Sequence, residues 1–132
     1  MKIAAVSDDG ITISQHFGRA RFYVVVTVEN GQIVGRETRD KMGHMQFASE
    51  PHEDVADPRG HGFGAAAQDR HAHMAAAIAD CQALLARGMG AGAYQSMEQA
   101  GIRPVVTDIP TIDEAVRAYA EGRLVDHTER LH

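Results

Sequence analysis

The chain contains a single cysteine, Cys81, and no tryptophan. One cysteine cannot form an internal disulfide bond, and this favours a protein of the reducing cytoplasm. No apolar run approaches the roughly 20 residues that a membrane-spanning helix needs. The N-terminus turns acidic at Asp8, which is unlike a secretory signal. We therefore expect a cytoplasmic chain with no membrane partner.

Positive charge and aromatic side chains are also scarce. Lysine and arginine total 13 against 18 acidic residues, so the formal net charge is −5, and only 5% of the residues are aromatic. Binding to a phosphate backbone needs clustered basic residues, and binding to single strands needs stacking aromatic rings. The composition therefore argues against a nucleic-acid partner.

The first half of the chain predicts three strands. Residues 2–7 form a short apolar run that ends at a turn, and residues 21–29 are rich in β-branched and aromatic side chains. Asn30-Gly31 is the preferred pair for a two-residue hairpin turn, so residues 32–39 should form the returning strand.

The second half predicts alternating helices and strands. Helices are expected at residues 69–79, with Met74, Ala77 and Ile78 inward, at 91–100 and from the capping box at Thr111. Strands are expected at 82–86 and 103–108. The most economical assembly is one domain, 1–132, with a five-stranded mixed sheet, an antiparallel hairpin and three helices. This is the pattern of ribonuclease-H-like α/β folds.

A stretch rich in histidine separates the two halves. Residues 40–68 lack a helical or strand period, and the stretch 40–74 holds five of the eight histidines: His44, His52, His61, His71 and His73. Imidazole is the commonest metal ligand in proteins, so the composition predicts a metal site. The alternative is a solvated, mobile insertion. Two residues apart on a helix, His71 and His73 point about 200° from each other, so only one of them can face a given ion.

Several chemically distinctive segments are expected at one end of the sheet, which we call the top. Ser7 ends the first strand there, the loop 14–20 precedes the antiparallel second strand, and the third strand ends there at Arg39. The glycine-rich turn 87–92 follows the fourth strand at the same end. Ligands of open α/β sheets bind beyond the carboxyl ends of the strands.

The glycine-rich turn has two interpretations. It opens a helix whose free N–H groups attract anions, with Arg19, Arg39 and Arg87 adding positive charge nearby. Alternatively, it is a tight connection that needs glycine for its backbone geometry. Cys81 precedes its strand, so we expect it buried at the opposite end of the sheet.

Three segments carry a family resemblance. The segment Ser14-Gln15-His16-Phe17-Gly18-Arg19-Ala20 before a valine-rich strand resembles the signature of the nitrogenase iron–molybdenum cofactor biosynthesis family, of the NifX, NafY and NifB C-terminal type. Residues 80–94, DCQALLARGMGAGAY, and 101–106, GIRPVV, resemble the same family.

The resemblance implies a ribonuclease-H-like fold and a non-catalytic carrier of an iron–sulfur or iron–molybdenum cluster, with donor and acceptor proteins as partners. It implies that the loop histidines take part in the site, together with His16, Phe17, Gly18, Arg19, Gly88, Met89 and Gly90. The histidine-rich loop here has no cysteine and is slightly acidic. This leaves open a divalent metal, zinc or nickel, as the ligand.

Two further alternatives stay open. Ribonuclease-H-like nucleases gather carboxylates around paired metal ions, and Asp8, Asp9 and Asp108 are the candidates here. A regulatory module would bind a small molecule or nucleotide at the glycine-rich turn. Against catalysis, no set of residues resembles a nucleophile with its base and orienting group.

Overall fold

A computed structural model describes residues 1–41 and 65–132 of the chain. The strands are β1 (Lys2–Ser7), β2 (Phe22–Glu29), β3 (Gln32–Asp40), β4 (Ala83–Ala86) and β5 (Arg103–Val106). The helices are α1 (Ala65–Ala76), α2 (Ala91–Gln99) and α3 (Ile112–Ala120), and a short 3-10 turn covers Thr128–Arg130.

The five strands form one mixed sheet in the order β3-β2-β1-β4-β5. β1 pairs antiparallel with β2 and parallel with β4, and β5 continues the parallel half. The predicted α/β class, mixed sheet, antiparallel hairpin and three helices are confirmed, while the ribonuclease-H-like label stays a prediction. Pro104 lies in the edge strand β5, where its missing N–H breaks no ladder bond between central strands.

The hairpin between β2 and β3 follows the predicted turn chemistry. Asn30 and Gly31 have φ values of 53° and 76°, the left-handed conformation that a type I′ turn requires. The pairing register shifts by one residue between Thr27 and Val28, which bulges β3 near the turn.

Helices cover both faces of the sheet. The Tyr23 hydroxyl donates to the Met74 carbonyl of α1, 2.9 Å away, and α2 packs beside α1. Arg36 points to the opposite face, since strand side chains alternate, and forms an ion pair with Asp113 of α3. The sheet core is therefore covered on both sides, and every residue from Ile3 to Ser7 in β1 is buried.

Helix α1 differs from its predicted bounds. It begins at Ala65 rather than Asp69, because the alanines of residues 65–67 are strong helix formers. It ends at Ala76, and tighter turns follow, in which Ile78 and Ala79 donate to carbonyls three residues back. Met74 and Ile78 are buried as predicted.

The lower end of the sheet carries Cys81 as expected. Gln82 donates to the carbonyl of Lys2 at the start of β1, 2.8 Å away, and Cys81 beside it is buried. Burial raises the pKa of the Cys81 thiol to about 11, with a smaller contribution from the Asp80 carboxylate. The cysteine is therefore an unreactive part of the core.

We predict that Tyr23→Phe lowers the free energy of unfolding by about 1–2 kcal/mol, because it leaves the Met74 carbonyl without its buried donor. Denaturant unfolding monitored by circular dichroism measures the change. Tyr119→Phe, at a half-buried position on α3, is the control and should change stability by less than about 0.5 kcal/mol. Equal losses in the two variants would contradict the prediction.

Candidate functional site

The loop before β2 is joined to the β4–α2 turn by backbone hydrogen bonds. The Phe17 N–H donates to the Gly88 carbonyl at 2.9 Å, and the Arg87 N–H donates to the Ser14 carbonyl at 3.0 Å. The Ser14 N–H in turn donates to the carbonyl of Val6 in β1 at 2.8 Å. The loop 14–20 and the glycine-rich turn, which both carry the family resemblance, therefore form one surface at the top of the sheet, as expected.

Gly88 permits this junction because it has no side chain. A Cβ built on Gly88 would lie 2.3 Å from the carbonyl oxygen of Gln15, a distance that no side chain can occupy. The φ angle of Gly88 is not in the left-handed region, so the requirement is for close packing. Gly88 therefore contributes to the site by holding its two loops together.

Lys41 holds the same loop from the end of β3. Its ammonium group donates to the carbonyls of Phe17 and of Ala20, the second at 3.1 Å, and lies 4.7 Å from the centre of the Phe17 ring. The N–H groups of Arg19 and Ala20 both donate to the His16 carbonyl, which forms a single helical turn. Lys41 thus caps the C-terminal end of the turn that carries His16 and Arg19.

The Lys41 side chain is almost fully enclosed, with 6% of the residue exposed. Burial lowers the pKa of Lys41 to about 8, and the nearby Asp8 carboxylate partly opposes this shift. The ammonium group is therefore still mostly protonated at neutral pH, so it remains available as a hydrogen-bond donor to the loop.

A cavity of about 490 Å³ opens beside this loop. Its walls come from the loop, from α1, from the β4–α2 turn and from the end of the described chain. The residues that line it are His16, Phe17, Gly18, Arg19, Arg70, His71, Met89, Gly90, Ala93 and His132. We call this cavity the top pocket.

The charge of the top pocket is opposite to that of the whole chain. Two arginines and three histidines of the described chain line it. Among the residues with a described position, no aspartate or glutamate contributes to the wall. A pocket with donors and positive charge, and without acidic side chains among its described residues, suits an anionic ligand.

Six of the seven residues predicted from the resemblance line the pocket, while Gly88 supports it from behind. Of the predicted metal-ligating histidines, His71 lines the pocket. His73 faces elsewhere, exposed and 3.6 Å from Asp69, in agreement with the opposed directions expected on a helix. His44, His52 and His61 lie outside the described residues.

Arg39 does not contribute the positive charge expected of it at the top. Its guanidinium extends along the sheet to the end of α1, where it binds Asp80 at 2.6 and 2.9 Å and the Ala77 carbonyl at 3.1 Å. These hydrogen bonds hold the pKa of the Asp80 carboxyl well below its usual range. The position of a residue on a strand does not fix where a long side chain ends.

Arg70 and His132 were not predicted as site residues. Arg70 precedes His71 on α1, and its proximity to that histidine was the one signal that sequence reasoning could have used. His132 lies in the tail of the described chain, where its backbone pairs with the β4–α2 turn and the residue lines the pocket. No local pattern marks this contact, because it joins positions far apart in the sequence.

The N-terminus of α2 is also engaged by the tail. The first helical N–H, on Ala91, donates to the His132 carbonyl at 2.8 Å. The anion site predicted at this helix N-terminus therefore loses one of its donors to the chain itself.

The carboxylates proposed for a hydrolase have separate structural roles. Asp9 accepts from the N–H groups of Thr12 and Ile11, and these bonds lower the pKa of Asp9 to about 2. Asp8 accepts from the Arg21 N–H, and Asp108 lies 3.7 Å from His127. Within residues 1–41 and 65–132, no three histidine, cysteine or acidic side chains are placed to hold one metal ion.

We predict that Gly88→Ala destabilises the fold by more than about 2 kcal/mol, because a methyl group must push the Gln15 backbone away. Gly18→Ala is the matched control: an added Cβ meets nothing within 4 Å there, so its effect should stay within about 0.5 kcal/mol. Thermal and denaturant unfolding compare the two. Similar stability of the two variants would show that the loops separate easily.

We predict that the stability of the wild type relative to Lys41→Met rises with pH above 8. Between the folded pKa of about 8 and the unfolded value of 10.5, the unfolded state binds more protons, so higher pH favours the folded wild type. Denaturant unfolding between pH 7 and 10.5 measures the difference. A difference that is constant over this range would mean that the carbonyl contacts cancel the effect of burial.

Comparisons with known proteins give a consistent assignment. A family model described as "Dinitrogenase iron-molybdenum cofactor" matches residues 1–122. An uncharacterized protein of Methanocaldococcus jannaschii is 29% identical over 124 residues, which cover 94% of this chain and 89% of that protein.

Several solved structures share the fold. The apo form of the orange protein from Desulfovibrio gigas is 20% identical with a TM-score of 0.65, covering 96% of this chain and 92% of that one. The protein PH0822 is 23% identical with a TM-score of 0.64, covering 97% and 98%. Because the family model spans nearly the whole sequence, the chain belongs to the dinitrogenase iron-molybdenum cofactor family.

Proposed function

We propose that this protein is a non-catalytic carrier that binds an anionic metal–sulfur cluster, of iron–sulfur or iron–molybdenum type, in the top pocket. The observation that carries the proposal is the pocket wall itself, where two arginines and three histidines meet and where no described residue is an aspartate or a glutamate. Membership of the family supports the same kind of ligand.

The charge distribution favours an anion over a free cation. Arg19 and Arg70 present guanidinium groups with several fixed donors, which bind anions strongly where water is partly excluded. The overall charge of −5 would repel an anion elsewhere on the surface. An anionic ligand is therefore directed to this pocket.

The size of the pocket and the spread of its imidazoles favour a polynuclear ligand over one metal ion. A mononuclear site needs three or four ligands about 2.0–2.6 Å from one point. His16, His71 and His132 instead come from three separate elements around a cavity of about 490 Å³. In the portion of the chain that the structure describes, no such ligand group closes on a single ion. A cluster could contact the histidines on different sides.

The chemistry of the wall supports carriage rather than catalysis. Among its described members there is no serine, cysteine or acidic side chain to act as a nucleophile or to form a catalytic dyad. A carrier needs only to bind and to release its ligand. Its partners would be the protein that assembles the cluster and the protein that receives it.

The proposed function is compatible with the cytoplasmic location expected from the sequence. Metal–sulfur clusters of this kind are stable under reducing conditions, which suits a cytoplasmic protein with one buried cysteine. No helix in the described ranges is long and apolar enough to cross a membrane.

Anaerobic reconstitution with ferrous iron and sulfide tests the proposal. We expect the wild type to bind iron together with acid-labile sulfide and to gain visible absorption. His16→Ala and Arg70→Gln should each weaken retention about tenfold or more, as expected when a group that contacts or orients a bound metal is removed. Arg117→Gln is the control, since it removes the same charge from an exposed position on α3.

Other outcomes would contradict the proposal. If His16→Ala and Arg70→Gln both retain iron and sulfide as the wild type does, the cluster binds outside the top pocket. If the protein binds zinc or nickel without sulfide, and loses that metal when His44, His52 and His61 are replaced together, the divalent-metal alternative is supported. Micromolar binding of a nucleotide to metal-free protein would favour a regulatory module.

A further inference from the structure

Residues 126–132 form a segment, here called the strap, that crosses from β5 to the top pocket. At one end the His127 N–H donates to the carbonyl of Val106 in β5, 2.8 Å away. At the other end His132 pairs with the β4–α2 turn, accepting from Ala91 at 2.8 Å and donating to the Met89 carbonyl at 3.3 Å. The strap lies beyond residues 1–122, to which the family model applies.

Asp126 anchors the strap to two elements of the fold. Its carboxylate accepts from the Val106 N–H of β5 at 2.8 Å and from the Tyr94 hydroxyl of α2 at 2.6 Å. The bond to this carboxylate, more than burial, raises the pKa of Tyr94 to about 12. Hydrogen bonds to a charged group are stronger than neutral ones, so Asp126 holds the start of the strap firmly.

The far end of the strap fits a surface that is shaped to receive it. Leu131 packs against the hydrophobic core. A Cβ on Gly90 would lie 3.4 Å from the His132 carbonyl oxygen, an ordinary van der Waals distance, so the His132 backbone lies directly against the β4–α2 turn. Contacts at both ends of the strap therefore fix where the backbone of His132 lies, at the wall of the top pocket.

We propose that His132 is a further ligand-contacting residue of the top pocket, presented by the strap, which Asp126 and Tyr94 position. The inference rests on the proposed cluster-carrier function. His16 approaches from the loop before β2, His71 from α1 and His132 from the strap, so a bound cluster would be held from three sides.

This arrangement makes retention of the ligand depend on docking of the strap. His71 is carried by α1, and His16 by a loop that is joined to the β4–α2 turn and held by Lys41. The strap, in contrast, is held at its ends by a few hydrogen bonds and by Leu131. Detachment of the strap would remove one imidazole and free the Ala91 N–H together. The strap therefore controls how long the cluster stays rather than whether the pocket exists.

The test compares three variants after anaerobic reconstitution with ferrous iron and sulfide. The readout is the rate at which iron passes to an excess of a chelator. We expect His132→Ala to release iron about tenfold faster than the wild type. Tyr94→Phe, which removes one anchor of Asp126, should give a smaller increase. His127→Ala should match the wild type, because its imidazole contacts Asp108 and Glu129 outside the pocket and its backbone N–H remains.

A second measurement needs no ligand. Hydrogen exchange of the metal-free protein should show faster exchange of the strap amides in Tyr94→Phe than in the wild type. In His132→Ala the amide of His127, which donates to the Val106 carbonyl, should stay protected. The exchange measurement therefore distinguishes a variant that has lost only the imidazole from one in which the strap has detached. Protection of the core amides in the same experiment shows that each variant is folded.

The outcomes separate this inference from the proposed function. If the wild type loads no cluster, the carrier function fails. If the wild type loads, His16→Ala weakens retention and His132→Ala releases iron at the wild-type rate, the carrier function stands and the role of His132 is overturned. The role of His132 would also be overturned if His127→Ala released iron as fast as His132→Ala. Any substitution in the strap would then speed release, whether or not it removed an imidazole from the pocket.

Discussion

The close approach of two backbones at Gly88 and Gln15 is the contact on which the rest of the site depends. It brings the loop that carries His16 and Arg19 within hydrogen-bonding distance of the β4–α2 turn, where the Phe17 N–H meets the Gly88 carbonyl. Since both segments follow or precede central strands, their positions are set by the sheet. The glycine at this junction therefore serves tertiary packing and not a turn conformation.

The distribution of charge explains how an acidic chain can present a positive pocket. Several carboxylates are engaged away from the pocket: Asp80 by Arg39, Asp113 by Arg36 and Asp9 by the N–H groups of its own turn. Lys41 is directed inward to backbone carbonyls. Arg19 and Arg70 are left to face the pocket, and within the described chain no acidic side chain opposes them there.

Much of the architecture could be read from local patterns. Strand β2 and the Asn30-Gly31 turn were predicted closely because β-branched runs and left-handed turn residues act over a few positions. The start of α1 was missed because alanine extends a helix without an apolar pattern to mark it. Arg39 was placed wrongly because the end of a long side chain depends on its partner, here Asp80, which lies across the sheet.

The sequence by itself determined the strands, the hairpin, the family and the loop residues His16 to Arg19 as candidates for the site. These follow from short-range periodicity and from motifs whose residues are adjacent in the chain. Only the tertiary structure decided that Arg70 and His132 join them, that His71 rather than His73 faces the pocket, and that Gly88 is a packing residue. The reason is physical: these contacts join residues far apart in sequence, and they exist only once the helices have packed on the sheet and the strap has docked.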